Sequence, residues 1–155
     1  MIVIYQFFIS LILFISPLII LIRLLNGKED RKRFKEKFSI INHKSTKGKT
    51  VWFHAASVGE IMSIISILQY YEKKNEIKTI LVTTSTLSSA RIIENLKFTK
   101  VIHQFYPIDH FIIVKKFLDH WKPKIAIFLE SEIWPRMFYE INKKNIPLIL
   151  LNARL

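Results

Sequence analysis

The sequence predicts an α/β fold: a parallel sheet of βαβ units preceded by one long apolar helix. Three observations predict it. After residue 50, five short apolar runs alternate with segments of helical periodicity. Two of those runs, Ile80-Leu81-Val82 and Ile125-Ala126-Ile127-Phe128-Leu129, are apolar on both faces, as buried parallel strands are. Residues 2–22 carry no charged side chain.

The apolar start comes first in the chain. At 1.5 Å per residue its length is roughly 31 Å, enough to cross a bilayer core. Pro17 is a kink that membrane helices tolerate. No basic residue precedes the run and no A-x-A site follows it, which disfavours a cleaved signal peptide. Ten basic and three acidic residues then fall between Arg23 and Lys49. By the positive-inside rule this places the rest of the chain in the cytoplasm and the amino terminus outside. The same segment suits anionic headgroups, or serves only to orient the helix. Nucleic acid is disfavoured, because only Phe34 and Phe38 interleave with the basic residues. The expected division is an anchor helix at 1–25, a basic juxtamembrane segment and linker at 26–49, and an α/β domain at 50–155, with the linker itself at 40–50.

Strands are expected at 51–54, 79–84, 101–105, 125–129 and 148–151. Helices are expected at 60–74, 87–96, 110–121 and 132–144. Alternation at this spacing implies right-handed crossovers. Composition narrows the function. With no cysteine, disulfides and thiolate metal sites are excluded, and three glycines leave no Gly-rich phosphate loop. His43, His103, His110 and His120 lack metal-ligand spacing.

Polar residues collect at the carboxyl ends of the strands, where open α/β sheets bind ligands. Residues 51–60 read V-W-F-H-A-A-S-V-G-E, so His54 closes a strand and Glu60 falls in the first helical turn after it. A carboxylate there can take a proton from a substrate hydroxyl. It can also simply complement the helix dipole. Ser85 or Thr86, and likewise Asp109, read as caps of the helices they precede. Residues 129–135 read L-E-S-E-I-W-P. Ser131 as a cap and Glu132 in the first turn account for two of its polar residues, whereas Glu130 leaves a buried strand directly and needs a partner or a task. Trp52, Trp121 and Trp134 read as core.

These stretches resemble those of the 3-deoxy-D-manno-octulosonic acid (Kdo) transferases. The likeness rests on the amino-terminal anchor, R-F-K-E-K-F at 33–38, H-A-A-S-V-G-E at 54–60, P-I-D at 107–109, E-S-E-I-W-P at 130–135 and N-A-R-L at 152–155. It implies a GT-B glycosyltransferase with two Rossmann-like domains, of which this chain matches the acceptor-binding first. It implies an inverting transfer of Kdo from CMP-Kdo to a lipid A precursor at the cytoplasmic face of the inner membrane, with no metal or cofactor. Carried over by position, Glu60 matches the catalytic base and Glu130 a carboxylate that stabilises the transition state. His54, Ser57, Gly59 and Glu132 are the expected substrate contacts. Basic residues beside the anchor, Arg31, Lys32 and Arg33, are expected to meet acceptor phosphates. Ser39 and Arg136 depart from the family's usual glycine and asparagine. The CMP-binding half is not among these residues, so the chain alone is expected to be inactive. The alternative is a non-catalytic, membrane-anchored binding module.

Overall fold

The computed structural model describes residues 2–41, 43, 48–130 and 132–152. Ser131, Arg154 and residues 42 and 44–47 of the linker expected at 40–50 lie outside them. In chain order the elements are α1 (Ile2–Leu25), a 3-10 turn (Phe34–Phe38), β1 (Lys49–His54), α2 (Val58–Glu72), β2 (Ile77–Thr84), α3 (Leu87–Asn95), β3 (Val101–Phe105), α4 (Phe111–Trp121), β4 (Ile125–Leu129), α5 (Pro135–Lys143) and β5 (Leu148–Leu151).

All strand pairs are parallel, in the order β3-β2-β1-β4-β5. This is a doubly wound, Rossmann-like sheet. Alternation along β1 divides its side chains between two cores. Val51 and Phe53 join Ile61, Ile64 and Leu68 of α2 and Ile93 of α3. Trp52 joins Val114, Phe117 and Trp121 of α4 and Met137 and Ile141 of α5. Each such side chain contributes about 1.5–3 kcal/mol when fully buried. Trp52 and Trp121 are core, each with its indole N–H donated to a buried partner, Thr83 and Gln104 respectively. Trp134 is only half-buried.

The five expected strands are present, β1 and β2 each beginning two residues earlier than the pattern suggests. Helix starts differ more. Helix α2 begins at Val58 because Ser57 caps it. Helix α5 begins at Pro135, so Glu132 lies in the preceding loop and not in a first turn. Proline favours the first helical position and holds the residue before it extended, and Trp134 has ψ 98°.

The segment after α1 is folded onto the sheet. A Schellman turn ends the helix, with Gly27 at φ 65° and Lys28 N–H donating to Arg23 O at 2.8 Å. The buried Glu36 carboxylate in the 3-10 turn accepts from Phe105 N–H at 2.9 Å and from Arg33 Nε at 2.8 Å. Ser39 follows in the left-handed region at φ 53°, a conformation that favours glycine, and its hydroxyl donates to Ile113 O at 2.9 Å.

Candidate functional site

Strand order reverses between β1 and β4. From the end of β1 the chain leaves toward α2 on one face of the sheet, and from the end of β4 toward α5 on the other. His54 is in register with Phe128, so the two exits are adjacent. A crevice at such a switch point is where this architecture receives ligands. Glu60 follows the first exit and Glu130 the second.

Glu60 is fixed locally. Ser57 caps α2 by accepting the Glu60 N–H at 3.2 Å, and Glu60 Oε2 accepts the Ala56 N–H at 2.9 Å. This is a capping box whose return bond lands one residue before the cap. The S-x-x-E spacing at Ser57–Glu60 carries that signature in the sequence. The side chain is therefore a cap as well as a candidate base. Only 7% of the residue is exposed, and its second oxygen, Oε1, accepts no hydrogen bond among the described residues. Gly59 lies on the exposed side of this turn at ordinary φ, and an added Cβ would meet nothing closer than Ser57 Oγ at 4.0 Å. The fold does not require a glycine here. What its missing side chain provides is open space beside Glu60.

Glu130 is held differently. It sits just past β4 at φ 54°, a left-handed conformation that costs a non-glycine residue about 1–2 kcal/mol. Its N–H donates to Leu151 O at 2.8 Å. Its half-buried side chain makes no hydrogen bond or ion pair among the described residues. Two residues on, Glu132 Oε2 accepts the Trp134 indole N–H at 3.0 Å and stands 3.6 Å from His54 Nε2. His54 holds the Glu132 carboxyl below its ordinary range; burial acts the other way and the Trp134 bond adds to the lowering. His54 itself is fully enclosed, with Nδ1 3.0 Å from Thr83 Oγ1 and its ring 4.0 Å from that of Tyr106. Its one approach to the loop after β4 among the described residues is through Glu132. Tyr106 also stacks on Trp134, with ring centroids 5.1 Å apart.

Asp109 corrects one expectation. It does not cap its own helix. Its carboxylate accepts from Arg136 N–H at 2.8 Å and Met137 N–H at 2.7 Å, so it caps α5 from across the site. The local cap position of α5 is Trp134, which has no oxygen to offer. Burial pushes the Asp109 carboxyl up, and these N–H groups together with the Tyr5 hydroxyl pull it back. Helix α4 is also capped from outside: His110 makes no cap bond, and Gln6 Oε1 accepts the Phe111 N–H at 3.0 Å. Thr86 does cap α3 locally, accepting from Ser89 N–H at 3.2 Å. Ser89 Oγ then donates to Ala56 O at 3.2 Å, tying the start of α3 to the loop that leads into α2 and Glu60.

Helix α1 is the one described helix long and apolar enough to cross a membrane, with mean hydropathy 2.6 over 4–25. Tyr5 Oη donates to Asp109 at 2.7 Å and Gln6 bonds the start of α4, while at the other end Arg23 Nε donates to Glu29 at 2.6 Å. The amino-terminal end is thus tied to the α/β domain, while Arg23 bonds the turn that follows its own helix. Ser16 and Ile20 face inward; Phe7, Phe14, Leu18 and Leu25 are exposed.

Among the basic residues, Arg33 is wholly engaged. It pairs with Glu36 and with Glu94 at 2.5 Å, and its Nη2 lies 2.7 Å from His103 Nδ1. Burial, aided by the Arg33 charge, lowers the His103 pKa from 6.5 to about 3. The expectation that Arg33 meets a substrate phosphate therefore conflicts with its structural duties.

The model of the 3-deoxy-D-manno-octulosonic-acid transferase (kdotransferase) family matches residues 32–155. The 3-deoxy-D-manno-octulosonic acid transferase of Rickettsia bellii is 44% identical over 152 residues, covering 97% of this chain and 36% of that protein. The probable mitochondrial 3-deoxy-D-manno-octulosonic acid transferase of Arabidopsis thaliana is 37% identical over 155 residues, covering 98% of this chain and 35% of that protein. The Haemophilus influenzae transferase is 29% identical over 153 residues, covering 96% of this chain and 36% of that protein. The chain spans about a third of the length of these curated relatives. It belongs to the Kdo transferase family.

Proposed function

We propose that this member of the Kdo transferase family forms the acceptor side of a glycosyltransferase that moves Kdo from CMP-Kdo to a lipid A precursor in lipopolysaccharide synthesis. The observation that carries the reading is the state of Glu60. One carboxylate oxygen is fixed by the Ala56 N–H, and the other has no partner among the described residues at the edge where the strand order reverses. That is the arrangement a general base needs: a fixed pose and a vacant lone pair.

In this mechanism Glu60 Oε1 accepts the proton of a glucosamine hydroxyl. The hydroxyl oxygen attacks the anomeric carbon of Kdo from the face opposite CMP, and the bond to the CMP phosphate breaks with its electron pair leaving on CMP. Configuration inverts. Positive charge grows on the sugar as the leaving group departs, and Glu130 opposes it from the β4 side by fixed electrostatics. The strained backbone at Glu130 fits this role, since strain collects where side-chain placement matters. Glu132, Trp134 and His54 position the Glu130 loop, and Ser57 positions Glu60. Gly59 leaves room for the acceptor sugar. The CMP moiety is held by the second Rossmann-like domain that the family resemblance implies. The outward face of α1 rests in the cytoplasmic leaflet of the inner membrane and keeps the active edge beside its lipid substrate.

The test is Kdo transfer by the full-length protein in membranes, wild type against Glu60→Gln. Glutamine can still accept the Ala56 N–H, so the fold is preserved while the base is lost. Transfer is expected to fall by about 10²–10⁴-fold with the melting temperature unchanged. Unimpaired transfer would contradict the assignment and favour a non-catalytic binding module.

A further inference from the structure

The starts of α1, α4 and α5 meet around Asp109, which is 1% exposed. Its Oδ2 accepts the Arg136 N–H at 2.8 Å and its Oδ1 the Met137 N–H at 2.7 Å. Pro135 has no N–H to offer, and the Phe138 N–H goes to Trp134 O. The first turn of α5 therefore depends on this one carboxylate. Because α5 follows the Glu130 loop directly, the group that fixes the start of α5 also fixes where that loop ends.

A third donor to the Asp109 carboxylate comes from α1. Tyr5 Oη donates to Oδ2 at 2.7 Å. Beside it, Gln6 Nε2 donates to Asp109 O at 3.3 Å and Gln6 Oε1 accepts the Phe111 N–H at 3.0 Å. Other polar side chains of α1 do not reach as far. Ser10 and Ser16 donate to carbonyls of their own helix, and Arg23 donates to Glu29 in the turn that follows. Among the described residues, Tyr5 and Gln6 are thus the adjacent polar pair that hydrogen-bonds an otherwise apolar helix to the α/β domain.

Attachment to lipid does not call for this pair. Gln6 is costly in apolar surroundings unless it is bonded. The Tyr5 hydroxyl against a buried carboxylate makes a charge-assisted bond, roughly twice as strong as a neutral one. Burial pushes the Asp109 carboxyl up, and the Tyr5 hydroxyl leads the groups that hold it down. With that hydroxyl removed, Oδ2 keeps only the Arg136 N–H among the described residues, and the side of the carboxylate facing α1 is left unfixed.

We propose that Tyr5 is a positioning residue for the transfer reaction. It acts through Asp109 and the start of α5 on the Glu130 carboxylate, so that α1 completes the charge-stabilising side of the site as well as meeting the membrane. The inference rests on the role given to Glu130 above and extends it to a residue of α1.

The test compares Tyr5→Phe with Ser10→Ala in the full-length protein in membranes. The first keeps the ring and removes a hydroxyl that reaches Asp109; the second removes a hydroxyl that bonds only within α1. Measured for each are kcat and KM for Kdo transfer, the melting temperature and the membrane-bound fraction. Tyr5→Phe is expected to lose about three- to tenfold in kcat with KM within about twofold, because Glu130 acts in the transition state. Its membrane-bound fraction should not change, and Ser10→Ala should transfer as the wild type does. Double variants separate positioning from a general structural role. Added to Glu130→Gln, Tyr5→Phe should cost less than about twofold more; added to Glu60→Gln, it should cost its full factor. Wild-type transfer by Tyr5→Phe, an equal loss in Ser10→Ala, a loss matched by a smaller membrane-bound fraction, or an equal further loss in both backgrounds would each overturn the proposal. Wild-type transfer by Glu130→Gln would remove the role of Glu130 itself, whereas a loss there with none in Tyr5→Phe would remove Tyr5 alone.

Discussion

Glu60 and Glu130 stand at the ends of hydrogen-bonded neighbouring strands, and they are held in opposite ways. Glu60 is pinned by residues within four positions of itself: Ala56 binds its carboxylate and Ser57 its N–H. The Glu130 side chain has no such partner among the described residues. Its turn is fastened by Leu151 from β5, and the helix after it is capped by Asp109 from the end of β3. One carboxylate owes its place to a ten-residue motif, the other to the assembled sheet. The placement of Glu60 should therefore tolerate changes elsewhere in the domain, whereas that of the Glu130 loop should respond to them.

Asp109→Ala breaks the remote support and gives the largest expected effect on stability. It orphans two N–H groups in the first turn of α5 and frees Tyr5 of α1. A loss of about 2–4 kcal/mol is expected by chemical denaturation. Transfer should fall at temperatures where the protein is still folded, because the Glu130 loop shifts. If transfer per folded molecule stays at the wild-type level, the remote-support account of Glu130 is wrong.

The remote contacts also have a pH signature. His103 binds Arg33 on one side and Thr84 on the other, and its pKa drops from 6.5 to about 3 on folding. Between those values the unfolded chain takes up a proton that the folded chain refuses. Stability should then decline as pH falls from about 6.5 toward about 3. Urea midpoints measured across this interval should show a shallower decline in His103→Gln than in the wild type. Identical slopes would mean that His103 is not the responsible group.

The smallest effect on folding sharpens the local side. Gly59→Ala adds helix propensity without a clash, so stability should rise by up to about 1 kcal/mol. Transfer should nevertheless fall, because the methyl group occupies space beside Glu60. A variant that is both more stable and fully active would remove Gly59 from the site.

This contrast also decides what was legible in the sequence. The five strands, the two-faced burial of β2 and β4, and the strand-to-helix placement of Glu60 follow from short-range patterns, and the structure bears them out. The capping box was equally local and could be read from the Ser57 and Glu60 spacing. What the sequence does not display is partnership across distance. Asp109 reads as a cap for α4 because Phe111 follows it, yet α5 lacks an acceptor at Trp134 and captures it. Gln6 sits in an apolar helix and caps α4 from more than a hundred residues away. Arg33 reads as one more surface cation until Glu36, Glu94 and His103 gather around it. The apolar length of α1 is legible in the sequence; the contacts of Tyr5 with Asp109 and of Gln6 with Phe111 are not, because only the fold brings those partners near.

The central claim is that both carboxylates at the switch point act on one sugar. It is tested most directly by measuring kcat/KM for Kdo transfer in Glu60→Gln and Glu130→Gln side by side, with melting temperatures recorded for each. The account predicts that each variant loses at least about 10²-fold in kcat/KM while melting within a few degrees of the wild type. A folded variant of either kind that transfers Kdo at the wild-type rate would contradict it.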